Sequence, residues 1–184
     1  MNHRLHLRFE QLERATSHLL KTAEAFGSAS HQSPGPGQWS AAQVVQHLLV
    51  AEMGIGQYIE KKLQHAEELK KAGLSQAVKS LLLRVLLRLP FTRFKAPAIL
   101  ASATPSQVPT LPQLRQEWES VRRRLEQTLN EYPSKLLGRA IFKHPRSGML
   151  TIYQTMDFLL DHVLHHQHQL ERIGKALKGK EATQ

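Results

Sequence analysis

The sequence predicts an all-α protein, a four-helix bundle whose helices are joined by two long crossover loops. Apolar residues recur at helical spacing in four long segments, and no segment shows the period-two alternation of a half-buried strand. Two irregular stretches, at 27–39 and 90–110, are long enough to cross the bundle. A chain of 184 residues has the size of one domain, so we expect a single bundle over 1–184.

The four predicted helices have recognisable ends. We expect them, with no sheet between them, at about 4–26, 40–71, 111–131 and 150–177. Gly27 ends the first helix and Pro133 follows the third. Ser40 and Gln43 have the spacing of a capping box at the start of the second helix. The sequence HPRSG at 144–148 is expected to be a loop that leads into the fourth helix.

Composition excludes several classes of site and of protein. The chain contains no cysteine, which excludes disulfides, thiolate metal ligands and a cysteine nucleophile. Its mean hydropathy is −0.38, and no apolar run approaches the ~20 residues of a membrane span. The first residues are charged and periodic rather than apolar, unlike a signal peptide. We therefore expect a cytoplasmic protein with no membrane span.

The charge balance favours anionic partners. Lys and Arg number 25 against 15 Asp and Glu, a formal net charge of +10. The basic run 122–124 is expected to be a solvated helix face, and no recognition motif accompanies it, so we expect no sequence-specific nucleic-acid binding. The leucine-rich segment 75–95 carries an apolar stripe among cations. We expect it to pack as core or lid; a homodimer surface and membrane-surface contact are the alternatives.

The 11 histidines are the second unusual feature of the composition. The apolar stripe of the fourth helix runs Ile152, Met156, Leu159, Val163, His166, Leu170, Ile173, Leu177. His166 thus occupies a core position, and His162 lies one turn earlier, about 40° around the helix. His47 shares the inward face of the second helix with Val44 and Leu48. His165 and His168 lie about 100° and 160° off the stripe, so we expect them to be flanking or exposed.

Three inward histidines from two helices suggest a metal centre. A pair at i,i+4 can bind one ion from a single helix face, and a histidine on a facing helix supplies a third nitrogen. Three protein ligands leave a position open, which is the arrangement of catalytic rather than structural sites. The alternative is that each is an ordinary core histidine with its hydrogen bonds satisfied.

Two stretches around these histidines resemble the motifs of the DinB/YfiT-like superfamily. They are WSAAQVVQHLLVAE, with a histidine eight residues after a tryptophan, and HPRSGMLTIYQTMDFLLDHVLHHQHQL, with a histidine pair four apart. The resemblance implies a four-helix bundle that holds one divalent ion through His47, His162 and His166. It also implies zinc or nickel as the ion, with manganese as a further choice. The chain departs from the motif in having histidines at 165 and 168 as well.

The resemblance leaves the reaction open. Some members of the superfamily transfer bacillithiol or use mycothiol in an isomerisation, and others are described as metal-dependent hydrolases. We therefore expect a metal-dependent enzyme acting on a small molecule, by small-thiol-dependent group transfer or by hydrolysis. The alternative is a non-catalytic metal-binding bundle whose basic surface binds an anionic partner. No catalytic side chain is assigned.

Several polar residues near the three histidines have expected roles. Glu52 lies about 140° around the second helix from His47, so we expect it to form a salt bridge rather than bind the ion. Gln169, one turn beyond His166, could orient a ligand. Asp161 could support the site only if its helix edge is covered. His144 and Arg146 are expected to be solvated, although an arginine there could hold an acidic group of a substrate.

Overall fold

Four long helices dominate the described part of the chain. The computed structural model describes residues 1–73, 78, 81–82, 84–85, 87 and 108–181. In chain order the helices are α1 His3–Glu24, α2 Ala41–Leu63, α3 Leu111–Asn130 and α4 Ile152–Glu181. The predicted all-α bundle is confirmed. Among the described residues, no helix is both long and apolar enough to cross a membrane.

Side-chain caps explain where the helices begin. At α2 the Ser40 hydroxyl accepts from the Gln43 N–H at 3.3 Å, and the Gln43 amide oxygen accepts from the Ser40 N–H at 2.9 Å, as predicted. Thr151 and Gln154 make the same reciprocal pair at α4. Asn2 caps α1 by accepting from a first-turn N–H. These bonds satisfy N–H groups that have no partner inside the helix, so the local sequence fixes the starting points.

The main helix contacts do not all follow chain order. α1 packs chiefly against α4, α2 packs chiefly against α3, and α2 also contacts α4. The apolar stripe expected on each helix is buried along most of its length, for example Leu12 on α1, Leu125 on α3 and Met156 on α4. The interior of the bundle is therefore largely apolar, and the inward histidines lie between α2 and α4.

A small antiparallel sheet precedes α4, so the expectation of no sheet was wrong. Strand β1, Ala140–His144, pairs with β2, Gly148–Thr151, and Phe142 lies opposite Leu150. The HPRSG sequence is the turn between them, and Gly148 has a φ of 77° there. Each strand is too short for an alternation of apolar and polar residues to be recognised in the sequence. The hairpin is stabilised by burial of residues such as Ile141 and Leu150.

α2 ends earlier than expected, at Leu63 rather than near residue 71. The chain then makes a short 3₁₀ turn and runs extended alongside the residues that lead into β1. The Ala140 N–H donates to the Lys70 carbonyl at 2.9 Å, and the Ala72 N–H donates to the Gly138 carbonyl at 3.3 Å. This pairing with a distant segment replaces the helical hydrogen bonds that the local sequence would also allow.

The leucine-rich segment is only partly covered by the described residues. Residues 78, 81, 82, 84, 85 and 87 are helical. Leu87 is buried, as core packing requires, but Leu82 and Val85 are more than half exposed, against that expectation. Leu86, Leu89 and 90–107, most of the second predicted crossover, lie outside the described residues.

A buried ion pair joins α2 to α3. Glu52 is 2% exposed and accepts two hydrogen bonds from the Arg122 guanidinium, each at 2.7 Å. The Trp118 indole N–H donates to the same carboxylate at 2.9 Å. Arg122 also reaches Glu13 and Thr16 on α1. The predicted salt bridge at Glu52 is confirmed, whereas the solvated face expected for Arg122 was wrong, because three helices close around it.

Removing Arg122 should destabilise the bundle strongly. Arg122→Ala leaves the Glu52 carboxylate buried without its cation, and breaking such a pair costs about 3–5 kcal/mol. Arg123→Ala is the matched control, because Arg123 is exposed and its loss should change stability by less than about 0.5 kcal/mol. Urea unfolding at pH 7 measures both. Equal midpoints for the two variants would contradict the structural role of the pair.

Candidate metal centre

Three imidazoles meet between α2 and α4. His47 Nε2 lies 3.3 Å from His162 Nε2, which in turn lies 3.2 Å from His166 Nε2. His47 and His166 are also adjacent, with ring centroids 5.0 Å apart. One nitrogen from each of the three residues lies within 4.8 Å of the other two, a spacing that could hold a metal ion. The structure therefore brings together the three histidines predicted to face inward.

The nitrogen spacing fits a single divalent ion. Nitrogens bound tetrahedrally at 2.0–2.1 Å lie about 3.3 Å from one another, close to the two separations observed. Hydrogen bonds among the three imidazoles would satisfy their nitrogens less well than a shared ion would. A proton on His162 Nε2 can be donated to only one of its two neighbours, so one close contact between nitrogens has no hydrogen bond to stabilise it.

Gln169 selects the tautomer of His166. The Gln169 amide oxygen lies 2.7 Å from His166 Nδ1 and can only accept, so Nδ1 carries the proton. The lone pair is then on Nε2, the atom that faces His162. Metal-ligating histidines commonly have their second nitrogen held in this way. This contact lets Gln169 orient the His166 ring, the role that the sequence left open for it.

Burial keeps the imidazoles neutral. It lowers the pKa of His47 to about 4. It also lowers the pKa of His166 to about 3, with the neighbouring charge of His47 acting in the same direction. The pKa of His162 falls well below its usual value, first through burial and then through His166 and His47. At neutral pH all three therefore offer lone pairs rather than positive charge.

Aromatic rings surround two of the imidazoles. The Trp39 ring lies 5.0 Å from the His47 ring, between centroids. Phe158 stacks on His162 at 5.4 Å, with 15° between the ring planes. His47 and His162 nonetheless remain partly exposed, while His166 is buried. Two of the three imidazoles are thus packed against apolar rings, and two of the three residues are only partly buried.

His165 flanks the three imidazoles, which is one of the two positions expected for it, and it is buried rather than exposed. It is 8% exposed, and its Nδ1 lies 3.0 Å from the Leu87 carbonyl oxygen. Helical periodicity gives an angle around α4 and does not show what packs on that side, so the burial could not be predicted. His168, placed further around the helix, is indeed partly exposed and lies 3.3 Å from a Glu171 carboxylate oxygen.

His144 is buried as well, against the expectation of a solvated loop. Its ring lies 4.5 Å from that of Phe158, which is the ring stacked on His162. The N–H groups of Arg146 and Ser147 both donate to His144 Nδ1 at 3.2 Å, which places its own proton on Nε2. Burial lowers the pKa of His144 to about 4, with the Arg146 charge adding to the effect. Sequence analysis missed this burial because it missed the hairpin.

Two arginines cover the edge of α4 beside His162. Asp161 is therefore buried at this edge, as a supporting role for it would require. The Arg84 guanidinium donates to Asp161 at 2.9 Å and to Asp157 at 3.1 Å. Arg8 of α1 donates to the second oxygen of Asp157 at 2.9 Å. The Asp161 side chain is fully buried. This network fixes the turn of α4 that presents His162.

The described part of the chain is thus a four-helix bundle with a cluster of three histidines that could hold a metal ion. A family model of the DinB superfamily matches residues 9–170. The chain belongs to the DinB superfamily. A comparison with curated proteins finds no match.

The metal-free chain should lose stability as the pH falls below 6.5. The folded-state pKa values of His47 and His166, about 4 and about 3, lie below the unfolded value of about 6.5. Between those limits the unfolded chain binds more protons, so the free energy of unfolding decreases with falling pH, by up to about 1.4 kcal/mol per unit for each histidine. Urea unfolding in the presence of a chelator at pH 7 and 5 tests this. An unchanged midpoint would show that the imidazoles are not held neutral.

Proposed function

We propose that the protein is a metal-dependent enzyme in which His47, His162 and His166 hold one divalent ion. The observation that carries the proposal is the convergence of their three Nε2 atoms, 3.2–3.3 Å apart along the cluster, in an otherwise aliphatic seam. Membership of the DinB superfamily supports it. Neutral imidazole ligands suit zinc or nickel, with manganese as a further choice.

A bound ion of this kind lowers the pKa of a ligating water or small thiol toward neutrality. The protein's own residues supply the remaining conditions. Three protein ligands would leave a coordination position for a small molecule, and His47 and His162 are only partly buried. Trp39 and Phe158 place apolar surface against these two imidazoles. Gln169 holds His166 in the ligating tautomer.

The composition of the chain restricts the source of any sulfur nucleophile. The chain has no cysteine, so any sulfur nucleophile must arrive with the substrate. We therefore propose small-thiol-dependent group transfer or hydrolysis of a small-molecule substrate. His144 is a further buried imidazole, in contact with Phe158, and its protonated Nε2 could donate a hydrogen bond to a substrate atom.

Each of the three histidines should be required for metal binding. His47→Ala, His162→Ala and His166→Ala should each reduce the affinity for zinc or nickel by orders of magnitude, because two nitrogens remain of three. His168→Ala, at a partly exposed position on the same helix, is the control and should bind as the wild type does. Elemental analysis of protein purified without a metal column, followed by competition with a chelator, measures the effect. Equal metal content in all four variants would refute the site.

Thiol dependence separates the two reaction classes. The metal-loaded protein is incubated with an electrophilic small molecule and a low-molecular-weight thiol, and both the thioether and the hydrolysis product are quantified. For group transfer we expect a thioether that forms only with thiol and disappears in His162→Ala. For hydrolysis we expect product without thiol and the same loss in the variant. Stoichiometric metal with neither product across a substrate panel would favour the non-catalytic alternative.

A further inference from the structure

An apolar stripe is exposed on the helical residues between 78 and 87. Val78, Leu81, Leu82 and Val85 are 68%, 61%, 59% and 51% exposed. Their spacing of i, i+3, i+4 and i+7 places them within an arc of about 100° on one helix face. The only other large apolar side chain exposed to this degree among the described residues is Leu7, at 44%. Exposed apolar surface is thus concentrated on one element, which we call the 78–85 stripe.

The stripe is held outward by contacts on the opposite side of its helix. Leu87 is buried, and its carbonyl oxygen lies 3.0 Å from His165 Nδ1. Arg84 binds both Asp157 and Asp161 of α4. Arg8 of α1, the residue after Leu7, shares Asp157 with Arg84. The helix is therefore docked by its polar and buried side, while its apolar side faces away from the bundle.

All the charged residues in the sequence around the stripe are lysines or arginines. From residue 69 to residue 116 there is no Asp or Glu, and the Lys and Arg residues are Lys70, Lys71, Lys79, Arg84, Arg88, Arg93, Lys95 and Arg115. Two of the eight are ion-paired with carboxylates elsewhere, Arg84 with Asp157 and Asp161 and Arg115 with Glu24. The other six leave this stretch of sequence with a positive charge. Residues 1–9, which include the first turns of α1, likewise contain Arg4 and Arg8 and no carboxylate side chain. Apolar surface and positive charge are thus combined in the same part of the chain.

This combination distinguishes between possible occupants. A second copy of the chain would cover the apolar stripe but would bring two cationic segments together, and no carboxylate of residues 69–116 could compensate them. An anionic membrane surface offers acyl chains to the leucines and negative headgroups to the lysines and arginines. We propose that the 78–85 stripe docks the protein on an anionic lipid surface, with the helix lying in the interface rather than crossing the bilayer.

Vesicle sedimentation tests the proposal on the full-length protein. Vesicles of phosphatidylcholine containing about one-fifth phosphatidylglycerol are compared with pure phosphatidylcholine at about 0.1 M and 0.5 M NaCl. We expect binding to the anionic vesicles that is at least about tenfold stronger than to the neutral ones and that weakens at the higher salt concentration. No binding to either kind of vesicle would overturn the proposal.

Two variants separate apolar docking from charge alone. Leu81→Gln with Leu82→Gln leaves the net charge unchanged and should reduce binding to anionic vesicles by about tenfold or more, since two leucines lose their apolar contact. Lys175→Gln with Lys178→Gln removes two exposed charges near the far end of α4 and should change binding by no more than about twofold. If the lysine variant loses as much binding as the leucine variant, or the leucine variant binds as the wild type does, the stripe is not the docking surface.

Two further measurements test the folding and the oligomeric state of the leucine variant. Circular dichroism and metal content of the leucine variant should match those of the wild type, which shows that neither folding nor the histidine site is affected. Light scattering after gel filtration reports the oligomeric state of both. A wild-type dimer that the leucine variant converts to a monomer, without vesicle binding by either, would assign the stripe to a contact between copies and overturn the lipid proposal.

Discussion

The contact between α2 and α4 is the interaction on which the candidate site depends. One helix supplies His47 and the other supplies His162 and His166, so neither could form the cluster alone. The contact is formed by apolar side chains, and burying them also buries the imidazoles. The Gln169 amide oxygen holds His166 Nδ1, and the three Nε2 atoms face one another. Apolar neighbours offer those Nε2 atoms no hydrogen-bond partner, so a shared ion would satisfy them best.

Buried carboxylates lie on either side of the α2–α4 contact, and each forms an ion pair with an arginine. Glu52 is bound by Arg122 and Trp118 between α2 and α3. Asp157 and Asp161 are bound by Arg8 and Arg84 on the outer side of α4. These carboxylates are thus held by guanidinium groups rather than directed at the three imidazoles. The histidine cluster therefore has an all-nitrogen donor set, which favours borderline ions over magnesium or calcium.

The same arrangement links the candidate site to the proposed lipid-docking element. Arg84 and the Leu87 carbonyl attach the stripe-bearing helix to α4 at Asp157, Asp161 and His165. Asp161 and His165 directly precede His162 and His166 in the sequence.

The sequence by itself determined the four helices, their starting caps and the inward direction of three histidines, because these depend on residues within one or two turns of each other. Gln43 after Ser40, and His166 within an aliphatic stripe, are signals of this local kind. Only the tertiary structure decided the end of α2, the β1–β2 hairpin and the burial of His144, His165 and Arg122. Each of these depends on a partner that is distant in sequence: Gly138–Ala140 for the end of α2, Phe158 for His144, the Leu87 carbonyl for His165, and Glu52 for Arg122. Periodicity gives the direction in which a side chain points from its own helix, but what lies in that direction is set by how the helices cross.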